Sequence, residues 1–356
     1  MLIYPKFLVT IKLFRNMKKF LYICIFILPL LLFANFSLSK ASVSDIPEIN
    51  AICAVAIDGK TGKVLFAKNP HLKIPPASTV KLVTAMVVLD HLSLSDKVKI
   101  SKKASQTPSV SPKLYENEVY TVKNLLYLML MKSSNQAAVA LAEAVAGSEE
   151  NFSILMNKKV YSLGLRNSHF VTASGLPAPN QYTTPYELAI IFYEALKYPL
   201  IKEIINTPVK IINSETGRTL VIKNTNKLLN DPELKRNIIG GKTGFTRASK
   251  HCLVNGVYIN DRLVITSVLG SPNRDSLWKD SRNLISFSKL VLMHYTTPVY
   301  ITTVVNNSVL VNKTFKKSRA KTYKKYKKRK KYKKISVKLK NSSMAKSANI
   351  KSNKKS

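Results

Sequence analysis

The chain has 356 residues, of which 57 are Lys or Arg and 19 are Asp or Glu, giving a formal net charge of +38. A hydrophobic content of 46% excludes a wholly disordered chain, and the presence of only 3 Cys excludes a disulfide-rich scaffold. The length allows a large core in one or two domains. So positive a charge suggests nucleic-acid binding only if it lies on the folded part of the chain.

The charge is concentrated at the two ends. Residues 1–44 contain six basic and no acidic side chains, and residues 313–356 contain 20 basic and no acidic side chains. Residues 45–312 keep 31 basic and 19 acidic side chains, a net charge of +12. The chain therefore divides into a basic head, a globular middle and a polycationic tail, and nucleic-acid binding is not expected.

The head is typical of an export signal. Two lysines precede an uncharged apolar run at 20–33, and small residues then lead to a cleavage site after Ala41. We predict a signal peptide over 1–41, with Met17 as an alternative start. The apolar run is short for a membrane span, and an uncleaved signal anchor is the alternative. Either form places the middle in the periplasm or at the outer face of the cytoplasmic membrane.

The first half of the middle begins with strands and continues with helices. Two apolar, β-rich runs at 51–57 and 62–67 flank the turn sequence DGKTG, which predicts a β-hairpin. After two prolines, a helical pattern runs over 79–91. Residues 122–147 predict two further helices, interrupted near 132–135.

The second half of the middle returns to strands. A loop rich in Pro, Gly and Asn precedes a helix at 185–196. Three strand-like runs and an amphipathic helix then follow, at 238–246, 252–259, 263–269 and 275–295. This order predicts an α/β (α+β) fold with an antiparallel five-stranded sheet, flanking helices and an inserted all-helical lobe.

The first of three candidate motifs is Ser78-Thr79-Val80-Lys81, at the start of a predicted helix. Serine and lysine three residues apart share one helix face. A lysine can take the serine proton only when it is neutral. Burial or nearby positive charge must therefore lower the pKa of this lysine.

The other two motifs lie between helices and on a strand. Ser133-Ser134-Asn135 offers a hydroxyl for proton relay and an amide for holding a carbonyl. Lys242-Thr243-Gly244 offers a cation and a hydroxyl for a carboxylate, and its glycine allows close approach of a backbone. Each motif alone is common, and Lys-Thr-Gly also begins at Lys60 in the hairpin turn. Their order and context predict a serine acyl-transfer site with a lysine base.

These motifs resemble those of the serine-type D-alanyl-D-alanine carboxypeptidases, the low-molecular-mass penicillin-binding proteins with a β-lactamase/DD-peptidase-like fold. The resemblance covers about 47–295 and rests on 76–90 (PASTVKLVTAMVVLD), 132–143 (KSSNQAAVALAE) and 240–246 (GGKTGFT). It implies a catalytic domain over 45–295 that removes the terminal D-Ala from peptidoglycan stem peptides. It also implies inhibition by β-lactams. No cofactor or metal is expected.

The resemblance implies a role for each catalytic residue. Ser78 would attack the carbonyl of the penultimate D-Ala, and Lys81 would act as the general base. Ser133 would pass the proton to the leaving D-Ala. The backbone N–H groups of Ser78 and Phe245 would form the oxyanion hole.

The resemblance also implies which residues bind the substrate. Asn135 would hold the substrate amide, and Lys242 and Thr243 would bind the terminal carboxylate beside Gly244. The intact polar set argues against a non-catalytic envelope-binding protein, which is an alternative from another class.

Two positions depart from the pattern of some relatives. Phe245 and Ser174 stand where some relatives have His, so a D,D-endopeptidase that cuts peptidoglycan cross-links is the closer alternative. A β-lactamase is disfavoured, because 173–184 contains no acid that could act as a deacylation base. Residues 296–312 are expected to be a short strand-like remnant or linker rather than a second domain.

The remaining candidates have simpler explanations. The five His show no metal-ligand spacing. Cys53 and Cys252 are expected to be core thiols on strands separated by a third strand, too far apart for a disulfide. The low-complexity tail, 313–356, is predicted to be disordered because its charges repel. We expect it to adhere to an anionic membrane or envelope polymer, and a merely solubilising tail is the alternative.

Overall fold

A computed structural model describes residues 46–303 of the chain. The expected signal peptide and the polybasic tail both lie outside these residues. Within the described part of the chain, no helix is long and apolar enough to cross a membrane.

A six-stranded sheet forms the centre of the fold. Its strands are β1 (Cys53–Asp58), β2 (Val64–Lys68), β7 (Ile238–Thr246), β8 (Lys250–Ile259), β9 (Arg262–Ser271) and β10 (Val299–Ile301). In space they are ordered β10-β2-β1-β9-β8-β7. All neighbours are antiparallel except β10 and β2. Two small antiparallel sheets pair β3 (Lys97–Lys99) with β4 (Val119–Thr121) and β5 (Val209–Asn213) with β6 (Thr219–Lys223).

Helices lie on both sides of the central sheet and form the inserted lobe. In chain order they are α1 (Lys81–His91), α2 (Lys102–Gln106), α3 (Val122–Met131), α4 (Asn135–Ala146), α5 (Glu149–Ser162), α6 (Pro185–Ala195), α7 (Pro199–Asn206) and α8 (Arg274–Leu292). Short 3-10 turns occur at Ala77–Val80 and Lys227–Asn230. Several helices begin at side chains that accept a backbone N–H of the first turn, among them Thr121, Ser134, Ser148 and Thr184.

The predicted β1–β2 hairpin is confirmed, and its turn is stabilised by one buried carboxylate. Asp58 accepts the backbone N–H groups of Lys60 and Thr61 and the Thr61 hydroxyl. Gly62 follows with a φ of +69°, a left-handed conformation that glycine adopts without steric cost. Arg262 closes the network, with its guanidinium 2.7 Å from Asp58.

The sequence predicted a five-stranded sheet, and the structure has six strands. The sixth strand, β10, lies within 296–312, where a short strand-like remnant or linker was expected, and it pairs in parallel with the edge strand β2. Asn69 holds the end of this strand through its backbone N–H on Ile301 and side-chain bonds to Thr303. A three-residue strand carries too little pattern to be assigned to a sheet from sequence alone.

The sheet has a hydrophobic core on each face. Along β1, residues 53, 55 and 57 join a cluster with the helical lobe, and residues 54 and 56 join a second cluster with α8. This alternation follows from the two-residue period of a strand. Both described cysteines are buried and free. Their strands, β1 and β8, are separated by β9, which confirms the expected separation of Cys53 from Cys252.

Candidate active site

Ser78 lies in the 3-10 turn that leads into α1, and Lys81 is the first residue of that helix. The turn begins at Ala77, whose φ of +50° is a left-handed conformation that a residue with a Cβ rarely adopts. One turn of helix then brings Lys81 Nζ to 2.9 Å from Ser78 Oγ. The lysine is therefore within proton-transfer distance of the serine.

The Lys81 side chain is completely buried. Its Nζ donates to Asn135 Oδ1 at 2.7 Å and to the carbonyl of Ser174. Burial, together with the positive charge of Lys242, holds the pKa of Lys81 well below its usual value, while Glu149 acts in the opposite direction. The environment therefore favours the neutral amine that a general base requires.

Ser133 lies between α3 and α4, where the expected helix break is observed. Its φ of +66° turns the chain sharply, and Ser134 then caps α4 by accepting the N–H of Ala137. Ser133 Oγ accepts a hydrogen bond from Lys242 Nζ at 3.0 Å. Asn135, the first residue of α4, donates its side-chain amide to the carbonyl of Pro108. The break therefore points two polar side chains towards the buried lysines.

The third motif lies on β7, as predicted. Lys242 is fully buried, and burial lowers its pKa to about 7. Thr243 Oγ1 lies 2.7 Å from Thr225 Oγ1. A Cβ on Gly244 would lie 3.0 Å from the Cβ of Ala77 and 3.1 Å from the Ser78 nitrogen. Absence of a side chain thus lets this strand run directly beside the Ser78 turn.

These motifs meet at one cleft with a volume of about 210 Å³. The residues that line it include Ser78, Ser133, Asn135, Thr243, Gly244 and Phe245. The cleft also contains residues that no motif marked, among them Val110, Thr225, His251, Arg274 and Trp278. They come from a loop, the neighbouring strand and α8, so only the tertiary fold brings them to the motifs.

Phe245 stands at the mouth of this cleft. The residue is 55% exposed, and its ring packs against the His251 ring at a tilt of 30°, with ring centroids 4.4 Å apart. His251 is its cross-strand partner on β8, and burial, with Arg274 and Lys250 nearby, lowers the pKa of that imidazole. An aromatic pair therefore forms one wall beside the Ser78 turn. Within 46–303, no group of three or more His, Cys, Asp or Glu side chains has a metal-binding arrangement.

Residues 39–273 match the peptidase S11 family, described as D-alanyl-D-alanine carboxypeptidase. The chain belongs to this family. It is 33% identical to the D-alanyl-D-alanine carboxypeptidase DacF of Bacillus subtilis, over 72% of this chain and 67% of that protein. It is 36% identical to a D-alanyl-D-alanine endopeptidase of Escherichia coli, over 69% of this chain and 79% of that protein.

Solved structures support the fold. The Streptomyces K15 DD-transpeptidase superposes with a TM-score of 0.64 at 30% identity, covering 68% of this chain and 98% of that one. A D-alanyl-D-alanine carboxypeptidase from Mycobacterium tuberculosis gives a TM-score of 0.64 at 28% identity, covering 69% and 94%. The predicted fold is confirmed, and the protein is a serine D-Ala-D-Ala peptidase of the cell wall.

Proposed function

We propose that the enzyme acts as a carboxypeptidase through an acyl-enzyme on Ser78. Ser78 Oγ attacks the carbonyl carbon of the penultimate D-Ala while Lys81 takes its proton. The observation that carries this proposal is the 2.9 Å contact between a fully buried lysine and the Ser78 hydroxyl. The peptide C–N bond then breaks, and Ser133 passes a proton to the departing amine of the terminal D-Ala. Water hydrolyses the remaining ester.

Substrate binding is proposed for the polar groups around this pair. Asn135 would hold the substrate amide, and Lys242 and Thr243 would bind the terminal carboxylate beside Gly244. A buried cation and a hydroxyl make strong charge-assisted hydrogen bonds to a carboxylate. The backbone N–H groups of Ser78 and Phe245 would hold the oxyanion. The close approach of Gly244 to the Ser78 nitrogen supports this pairing.

Labelling with a fluorescent penicillin tests the mechanism. A β-lactam mimics the D-Ala-D-Ala end, so the purified protein should form a stable covalent adduct. Ser78→Ala should not be labelled, and Lys81→Ala should be labelled about 100-fold more slowly or worse, because the base is lost. Failure of the folded wild-type protein to label would refute the proposal.

An endopeptidase is the second candidate, since two endopeptidases of this family are 36% and 34% identical to the chain. Both activities would use the same catalytic residues. Incubation with a stem pentapeptide and with a cross-linked dimer separates them. Release of free D-Ala from the pentapeptide supports the carboxypeptidase, and exclusive cleavage of the dimer supports the endopeptidase.

We further propose that residues 1–41 direct export and that 313–356 adhere to an anionic membrane or envelope polymer. The support is the sequence of the tail, 20 basic residues without an acid. Removal of 313–356 should weaken binding to anionic vesicles or to isolated cell wall, and salt should weaken binding of the full chain. Unchanged binding after removal would contradict this role.

A further inference from the structure

A short segment, residues 172–176, supplies a group that contacts both catalytic side chains; we call it the Ser174 segment. The carbonyl of Ser174 accepts from Lys81 Nζ and, at 3.5 Å, from Ser78 Oγ. Gly175 has a φ of +78°, and a Cβ there would lie 1.9 Å from the carbonyl oxygen of Ala77. The segment is therefore pressed against the nucleophile's turn, and its placement sets the direction of the Lys81 amine.

A carboxylate from α5 holds this segment in place. Glu149 Oε1 accepts the backbone N–H of Ala173 at 2.9 Å. On the other side of the same residue, Thr84 Oγ1 donates to the carbonyl of Ala173 at 2.8 Å. Thr172 Oγ1 accepts the N–H of Gly175 at 3.1 Å. Glu149 is the ionisable member of this set, and it is not among the residues that line the cleft.

The charge of Glu149 also acts on Lys81. Its carboxylate raises the pKa of Lys81, against the larger effects of burial and of the Lys242 charge. Burial raises the pKa of Glu149 itself, and Lys103 on α2 lowers it while neighbouring Glu150 raises it. The base must be neutral before it takes the Ser78 proton and positively charged afterwards. A carboxylate behind it stabilises the second of these two states.

We propose that Glu149 is a positioning residue: its bond to the Ala173 N–H holds the Ser174 carbonyl on Lys81, and its carboxylate stabilises the ammonium that forms there. The inference rests on the proposed role of Lys81 as the base. When the Ser78 proton moves to Lys81, the new ammonium is stabilised by the Ser174 carbonyl and by the Glu149 charge. The two charges act on Lys81 in opposite directions: Lys242 favours the neutral amine, and Glu149 favours the ammonium.

Glu149→Gln separates position from charge. The amide oxygen of Gln can still accept the Ala173 N–H, so the Ser174 segment keeps its place. Without the carboxylate, the pKa of Lys81 falls further. The acidic limb of the acylation profile should therefore move to lower pH. The maximal rate should fall, because a weaker base transfers the proton less readily, but the fall should be smaller than the loss of about 100-fold expected when the base is removed.

The experiment measures the rate of acylation by a fluorescent penicillin from pH 5 to pH 10 in wild type, Glu149→Gln, Glu149→Ala and Glu150→Gln. Glu150 is the matched control, because it lies in the same turn with its side chain in solvent. Its variant should follow the wild-type profile. Glu149→Ala removes the acceptor as well as the charge, so it should lose more activity than Glu149→Gln at every pH.

The stability of the variants is measured beside their activity. Burial raises the pKa of Glu149 in the folded protein, so its ionisation costs stability as the pH rises through that pKa. At pH 7, Glu149→Gln should therefore melt no lower than the wild type. A Glu149→Gln profile that superimposes on the wild type, or an equal and pH-independent loss in both Glu149 variants, would overturn the inference. If the wild type itself is not acylated, that result contradicts the proposed function of Ser78 and Lys81 rather than the role of Glu149.

Discussion

The sequence Lys-Thr-Gly occurs twice in the described fold, and its two copies have almost nothing else in common. Lys60-Thr61-Gly62 forms an exposed turn around Asp58, and its glycine provides a left-handed φ. Lys242-Thr243-Gly244 lies on β7 with a fully buried lysine and a glycine pressed against the Ser78 turn. The first copy organises a hairpin, and the second lines the cleft.

The difference shows that burial, rather than the tripeptide, gives Lys242 its unusual pKa. Removal from water lowers the pKa of Lys242 to about 7, and β7 holds its amine 3.0 Å from the Ser133 hydroxyl. The Lys60 side chain stays in solvent, where its charge is screened. Substitutions at matched positions of the two copies can therefore separate function from stability.

The largest contrast is expected between Lys242→Met and Lys60→Met. Loss of Lys242 removes the cation proposed to bind the carboxylate, so acylation by penicillin should slow by about 100-fold or more. Lys60→Met should acylate at the wild-type rate. Second-order acylation rate constants of the two variants provide the measurement, and equal constants would break the comparison.

The Lys242→Met variant should also be more stable than the wild type. The folded-state pKa of about 7 lies below the usual 10.5, so the unfolded chain binds more protons between these values. The wild type should therefore gain stability as the pH rises over this window, and the methionine variant should not. Thermal melting at pH 7 and pH 10 measures the effect.

A smaller loss is expected for Gly244→Ala. Its new Cβ would crowd the Ser78 nitrogen at 3.1 Å, so the turn that carries Ser78, the proposed nucleophile, must shift. A displacement of this kind should slow acylation by about 10- to 100-fold. Gly62→Ala, at a φ of +69°, should instead cost about 1 kcal/mol of stability with unchanged acylation. Acylation rates and urea midpoints are measured for both variants. Slower acylation of Gly62→Ala, or a wild-type acylation rate for Gly244→Ala, would contradict the prediction.

Substrate affinity should depend on pH through Lys242. Above a pH of about 7 the free enzyme loses the ammonium, and a bound carboxylate restores it. Binding should therefore take up a proton, and affinity should fall by up to about tenfold per pH unit above 7. Inhibition constants of a peptide ending in a carboxylate should show this trend, whereas its C-terminal amide should not. A flat profile for the acid would rule out Lys242 as the titrating group.

The smallest effects are expected at the two threonines. Thr243→Val loses one hydroxyl from the cleft and its bond to Thr225, so affinity for a carboxylate peptide should fall by about 2- to 10-fold. Thr61→Val loses its bond to Asp58 and should cost about 1 kcal/mol of stability. Its peptide affinity should equal that of the wild type. Isothermal titration of both variants with the same peptide tests the pair.

Elements with strong apolar periods were predictable from the sequence. The helix at 79–91, the helix break at 132–135 and the three strands that follow 238 are all observed, with shifts of a few residues at their ends. The β5–β6 hairpin was missed, because it exposes apolar side chains as well as burying them: Val209, Ile211 and Val221 are all at least half exposed. Its pattern therefore lacks the polar alternation of a half-buried strand.

The sequence predicted the three motifs of the candidate site, but not the other residues that line the cleft. The motifs identified Ser78, Lys81 and Lys242. Ser78 lines the cleft, and the two lysines are buried, with their amines on the hydroxyls of Ser78 and Ser133. Thr225 and Arg274 carry no local signal, because a single threonine or arginine becomes part of a site only through its neighbours in space. Glu149 was likewise invisible, since its partner is a backbone N–H 24 residues away.

The short strand β10 has a consequence for the edge of the central sheet. By pairing with β2 it occupies backbone groups of Val64–Lys68 that would otherwise stand open at the sheet edge. The new edge is only three residues long, and Asn69 ends it through its bonds to Ile301 and Thr303. A protein truncated before Val299 would present β2 as a template for a second molecule. Aggregation, rather than loss of chemistry, is the failure expected of such a truncation.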